Sequence, residues 1–257
     1  QAGLNGIAGI RLSMARHELL DNITHKDLRI NLQYQPGTGF DPQMARVFPI
    51  ELGALQAEYP LFFARNTERD QFDLVALLGF ESDENLYLGQ GDWLAKSLPL
   101  SIERQPFLIG FEGQATSPAT GQPVIHVDMD HPSISEEQGE RVFLPHGGES
   151  VLLERMNEVL GLIHDGHGQS DAFSRTLSGL DLIEPLNLEV TFVDGEKRTL
   201  SGLFAINEDN LRQLNAESLD LLHQRGYLQH IYMLLASLPQ LGALIERKNQ
   251  KLQSQSE

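Results

Sequence analysis

The strongest local constraint in this 257-residue sequence is the reversal at Asp194-Gly195. Leu188–Val193 precedes it and Thr199–Ile206 follows it. Asp-Gly readily takes the positive φ values that a tight turn between twisted strands needs, so an antiparallel hairpin is predicted here. The segments around it have a different period. From about Gly148, Val151, Leu152, Val159, Leu160, Leu162 and Ile163 recur at helical spacing. After a polar interruption at His164–Asp171, Phe173, Leu177, Leu180 and Leu182 form a second apolar series that ends by Pro185. Beyond the hairpin, Asn207-Glu208-Asp209 caps a helix starting near Asn210. Leucines and isoleucines from Leu211 to Ile245 then run through short helices broken at Gly226 and Pro239.

The first half of the chain reads as strands. Leu28, Ile30, Leu32 and Tyr34 alternate with polar residues, which predicts a half-buried strand before the turn Gln35–Gly39. Glu51–Glu58 is a short helical pattern, and Leu61–Ala64 is a strand. Phe72–Phe80 and Asn85–Leu88 are expected to pair as a hairpin across Glu81–Asn85. Phe107–Phe111 and Val124–Val127 form a further pair around the loop Gly113–Pro123. The expected fold class is therefore α+β: a strand-rich N-terminal half with a mixed or antiparallel sheet, and a β-hairpin and helical C-terminal part packed on it. Residues 1–147 form the strand-rich region and 148–257 the helix, hairpin and C-terminal helices. They are expected to make one integrated domain over about 25–245, with ends 1–20 and 248–257 loosely ordered.

Composition narrows function by exclusion. Hydrophobic residues at 40% and charged residues at 21% suit a packed core. A net charge of −17 repels phosphate backbones and anionic membranes, so no nucleic-acid partner is expected. With no cysteine, disulfides, thiolate nucleophiles and Cys-ligated metals are excluded. No stretch approaches the roughly 20 apolar residues of a membrane span, so membrane insertion is not expected. The N-terminus lacks the basic region of a signal peptide, although position 1 is not Met and export stays open.

Few residues suggest chemistry. His126-Val127-Asp128 has the His-x-Asp spacing that aims two iron ligands from one strand face, and a distant His would complete the triad. A plain strand end is the competing reading. His164 and His167 lie three apart and could share a divalent cation, although Gly161, Gly166 and Gly168 argue against a rigid helix to hold them. Asp128–His131 before Pro132 fits a turn. No Gly-x-Ser-x-Gly nucleophile elbow occurs. Trp93, Arg104 and Phe107 could place a cation beside aromatic planes as a ligand site, or could simply be core.

A set of segments carries a family resemblance. They include Thr24-His25-Lys26-Asp27-Leu28-Arg29-Ile30, Phe48-Pro49-Ile50-Glu51, Glu58-Tyr59-Pro60-Leu61-Phe62-Phe63 and Ala76-Leu77-Leu78-Gly79 with Glu84-Asn85-Leu86-Tyr87. Trp93, Leu98-Pro99-Leu100, Arg104-Gln105-Pro106-Phe107, Val127–Pro132, Leu200–Glu208 and Leu211–Leu244 follow in order. Together they resemble the bacterial SapC family from His25 to about Leu244. The resemblance implies a non-catalytic binding or assembly protein, tied to the surface layer or accessory to a neighbouring enzyme. It further implies a protein partner, no cofactor, and a bacterial setting that is cytoplasmic or reached by non-classical export. The oligomeric state is left open. The alternative is a non-haem iron, 2-oxoacid-dependent oxygenase, or another metal enzyme, using His126 and Asp128 with Fe(II) or another divalent cation. That reading requires a jelly-roll barrel.

Overall fold

The computed structural model describes residues 16–33, 42–89, 91–111 and 123–255. The first half is mostly strands: β1 (His17–Leu19), β2 (Arg29–Ile30), β3 (Met44–Arg46), α1 (Leu52–Leu55), β4 (Leu61–Asn66) and β5 (Gln71–Leu77). Next come α2 (Leu100–Glu103), β6 (Phe107–Phe111), β7 (Pro123–Asp128), β8 (Ile134–Ser135) and β9 (Glu140–Arg141). The second half holds α3 (Val151–Gly179), β10 (Ile183–Thr191), β11 (Lys197–Ile206), α4 (Glu208–Arg212), α5 (Ala216–Gln224), α6 (Tyr227–Ser237) and α7 (Gln240–Gln255). The fold is α+β, as expected.

The main sheet is antiparallel, in the order β10-β11-β4-β5-β3. The Asp194-Gly195 hairpin is its outer pair, with Gly195 at φ 83°. β11 joins it to the N-terminal strands through Leu203 opposite Ala64 and Phe204 opposite Phe63. The two halves of the sequence thus share one sheet. Pro185 lies inside β10 rather than ending the segment before it, and an edge strand accommodates a residue that cannot donate. A three-stranded sheet β1-β7-β6 pairs Phe107–Phe111 with Pro123–Val127 as read from the sequence, and a small third sheet β8-β2-β9 completes the set.

Several local expectations are corrected. Phe72–Leu77 does not pair with Asn85–Leu88: β5 is flanked on both sides by β4 and β3, and the returning chain meets its end through Leu86 N–H, which donates to Leu78 O at 2.8 Å. The strand at Leu28–Tyr34 shortens to β2, with Leu28 and Ile30 buried but Leu32 exposed. Tyr34, Gln35–Gly39 and Gly113–Gln122 lie outside the described residues. The two apolar series after Gly148 are one continuous 29-residue helix, about 43 Å long. Its N-cap is Ser150, whose Oγ accepts from Leu153 N–H at 3.2 Å. Residues 248–255 do not fray, because they belong to α7, where Lys248 is buried.

α3 joins two apolar clusters. Leu152, Leu153, Met156, Val159 and Leu160 pack with Phe48, Phe107 and Val127. Phe173 and Leu177, more than three turns further on, pack with the main sheet through Phe63 and Leu203 and with Ile231 of α6. Gly166 is where the helix comes closest: a Cβ there would stand 2.8 Å from the Phe48 ring.

Candidate functional site

The turn after β7 brings Arg104 and Asp128, which belong to two different candidate sites in the sequence, into one neighbourhood. Asp128 N–H donates to Pro106 O at 3.1 Å, which brings the Arg104–Phe107 segment against Asp128–Ser133. Arg104 Nη1 donates to Phe107 O at 2.7 Å, and burial holds its guanidinium below the ordinary range. Asp128 Oδ1 accepts from Asp130 N–H at 3.1 Å, the local turn chemistry of an Asp before Pro132. His131 Nδ1 accepts from Ser133 N–H at 3.2 Å, so Nε2 carries the proton and donates to Gln105 Oε1 at 3.2 Å. Burial pushes the His131 pKa down to about 4, with Asp128 opposing and Arg104 adding to the effect. A neutral imidazole satisfied at both nitrogens is a brace between two loops.

Trp93 lies elsewhere. Its ring stacks on Tyr87 with centroids 6.1 Å apart, and its Nε1–H donates to Tyr59 Oη at 2.6 Å. Tyr59 donates in turn to Ser97 O at 2.5 Å and Tyr87 to Glu58 O at 2.8 Å, while the Glu58 carboxylate accepts from Lys96 and Ser97 N–H. Burial raises both phenols, Tyr87 to about 12. The expected trio of Trp93, Arg104 and Phe107 is therefore not assembled: Trp93 packs on the main-sheet core, and Phe107 belongs to the other cluster. The cation facing this aromatic group is Arg247 of α7, 4.8 Å over Tyr87.

The metal candidates are likewise apart. His126 projects from the middle strand of an open three-stranded sheet, and its ring covers Gly110, where a Cβ would come within 2.4 Å of Cδ2. The barrel that the oxygenase reading requires is not what surrounds it. His164 is exposed on α3. His167 meets Phe48 edge-on at 5.2 Å, and burial, then Arg46 and Arg69, push its pKa down to about 4. Two neighbouring guanidiniums oppose a cation there. Among the described residues no three His, Asp or Glu side chains are placed to share a metal.

An ion-pair network that the sequence reading did not anticipate surrounds His167. Arg46 and Arg69 both reach Asp73 Oδ1, at 2.8 and 2.7 Å, and Arg69 lies 3.5 Å from Asp171. Two arginines facing two aspartates are electrically balanced, and they tie α3 to the β4–β5 hairpin. The signal available was Asp171 four residues after His167, on one face of α3.

The C-terminal helices carry an apolar stretch that the body covers only in part. The helical stretch Tyr227–Ser254 contains an 18-residue window of mean hydropathy 1.3, of which only 22% is buried. This corrects the expectation that no stretch approaches the apolarity of a membrane span. Ile231, Leu234, Ser237 and Leu244 face the body, whereas Tyr232 is 59% exposed. Leu219 and Leu221 of α5 are also exposed, and no Asp, Glu, Lys or Arg occurs from Tyr227 to Ile245. Beneath α6, an apolar cavity of about 10 Å³ between Leu61, Phe63, Ile206 and Leu234 has room for no more than a water.

Comparison with known families shows that the SapC family model aligns with residues 20–244. No curated protein and no solved structure matches the chain. The matched span takes in both apolar clusters, the main sheet, α3 and the helices up to the start of α7, so the chain belongs to the SapC family.

Proposed function

We propose that this protein is a non-catalytic binding or assembly protein that presents the outer face of α5 and α6 to a protein partner. One observation carries this reading: Tyr232 of α6 is 59% exposed and Leu219 and Leu221 of α5 are exposed as well, on helices where no Asp, Glu, Lys or Arg occurs from Tyr227 to Ile245 although the chain carries a net charge of −17. Exposed apolar surface of this kind is unfavourable unless something covers it. A protein suits the face better than a lipid bilayer. Pro239 divides the stretch into arms of 11 and 16 residues, each shorter than the roughly 20 needed to span, and one side of each arm is already committed to the body. Anionic membrane surfaces would also be repelled by the net charge. The family resemblance points to a surface-layer component or a neighbouring enzyme as the partner.

A photo-cross-linking residue at position 232, expressed in the cell of origin, tests the proposal. The expected result is one dominant protein adduct that is absent when the cross-linker replaces Glu158 on the exposed side of α3. Equal labelling at the two positions, or co-flotation of the purified chain with neutral phosphatidylcholine vesicles, would overturn it.

A further inference from the structure

Arg104 is a half-buried cation that the fold does not neutralise. Arg46, half-buried as well, is met by Asp73 at 2.8 Å, whereas among the described residues no Asp or Glu pairs with the Arg104 guanidinium. Acids are not in short supply, since 36 Asp and Glu stand against 19 Lys and Arg. Glu103, its neighbour in the chain, is drawn away by Arg155, whose Nε and Nη2 donate to it at 2.9 and 3.2 Å. Asp128 acts on His131 and not on Arg104, where burial is the one influence and no charge offsets it. A guanidinium withdrawn from water without a counter-charge is a cost to the fold.

Half of its donor set is also unused. Nη1 is committed to Phe107 O at 2.7 Å, which sets the guanidinium plane against the turn into β6. Nε and Nη2 make no hydrogen bond among the described residues, and unlike Arg46 Nη2 they are not sealed from solvent. These two donors form one edge of the fork, with parallel N–H bonds at the spacing of two carboxylate oxygens. One helical turn earlier, on the same side of α2, Ser101 Oγ is buried and has no partner either. Polar capacity at this turn therefore exceeds what the surrounding chain satisfies.

We propose that Arg104 anchors a binding site for a small organic monocarboxylate at the turn from α2 into β6. The two carboxylate oxygens accept from Nε and Nη2, while Phe107 O keeps its hold on Nη1. Charge selects a monoanion. His131 is neutral, with its Nε2–H on Gln105 Oε1, so the site offers a single positive charge. A phosphate dianion also fits the fork, but it brings a second negative charge into the field of a chain of net charge −17. The site is separate from the α6 face, so either can fail without the other.

NMR titration of the isotope-labelled full-length protein with sodium acetate, against sodium chloride at equal ionic strength, tests this. The Arg104 Nε–H signal should move along a saturating curve with acetate and stay in place with chloride. The His131 ring signals, which feel Arg104, should follow the same curve. Sodium phosphate at pH 8 should need about tenfold higher concentration for the same shift. In Arg104→Lys, which keeps the charge and loses the fork, acetate should leave the His131 signals unmoved. If that variant does not fold, the acetate and chloride curves of the parent decide alone. A shift that never saturates, that chloride or phosphate matches, or that survives in a folded Arg104→Lys overturns the proposal.

Discussion

Replacing Lys248 with Met should destabilise the protein more than its place near the C-terminus suggests. The ammonium is 8% exposed and pairs with a Glu84 carboxylate that is 6% exposed. Removing one member of such a pair strands the other, at a cost of about 3–5 kcal/mol. Lys251, 3.4 Å from Glu84 and 47% exposed, offsets part of this and moves the expected loss toward about 3 kcal/mol. Glu84→Gln is milder, at about 1.5–3 kcal/mol, because Lys248 keeps Glu81 and the amide oxygen still accepts from Phe80 N–H. The double variant should fall short of the sum of the two by about 1–2 kcal/mol. Urea unfolding followed by Trp93 fluorescence reads this directly, since the single Trp stacks on the Tyr87 ring beneath Arg247. Burial pulls the Lys248 pKa down, but Glu84 and Glu81 together outweigh it and hold it above 10.5. The stability from this group is therefore complete below pH 10.5 and lost as pH rises through the higher folded value. A Lys248→Met loss below about 1 kcal/mol, or strict additivity, would refute the reasoning.

Three further outcomes follow from the same structure. Burial, opposed by Leu100 and Phe48 N–H and reinforced by Glu103, raises Glu51 from 4.5 to about 7. Its stabilising contribution should be complete below pH 4.5 and vanish as pH rises through 7, so Glu51→Gln should show a flatter urea midpoint between pH 5 and 8 than the parent. On α3, Gly161→Ala and Gly168→Ala meet no atom within 4 Å and should each stabilise by about 0.5–1 kcal/mol, whereas Gly166→Ala collides with Phe48 and should destabilise by about 1–3 kcal/mol in thermal unfolding. Gly110→Ala forces the His126 ring aside, and adding His126→Ala should restore most of the lost stability. If it does not, the ring has a role other than packing.

The parts of the fold that were legible in the sequence were those set by local chemistry. Asp194-Gly195 marked the hairpin, Asn207 marked a cap that accepts from Asn210 N–H at 2.8 Å, and Gly226 and Pro239 marked the helix breaks. Pairing partners were less legible, because an apolar run such as Phe72–Leu77 does not state which strand lies beside it. It pairs with β4 and β3 and not with Asn85–Leu88. The glycines of α3 suggested a break, yet Gly166 is the residue that lets the helix approach Phe48. Side chains that meet across long sequence separations were least legible of all. Lys248 with Glu84, Arg247 with Tyr87, and Arg46 with Asp73 follow from tertiary placement alone. For the same reason nothing in the sequence joins Arg104 to Asp128, although both act electrostatically on His131.

The most direct measurement of the docking face is isothermal titration of the cross-linked partner, purified and titrated into the full-length protein, against its Tyr232→Asp variant. The account expects the variant to bind at least about tenfold more weakly, a loss of about 1.4 kcal/mol, with a negative heat-capacity change for the parent that shrinks in the variant. Equal affinity and equal heat-capacity change for the two proteins would show that the outer face of α6 is not where the partner sits.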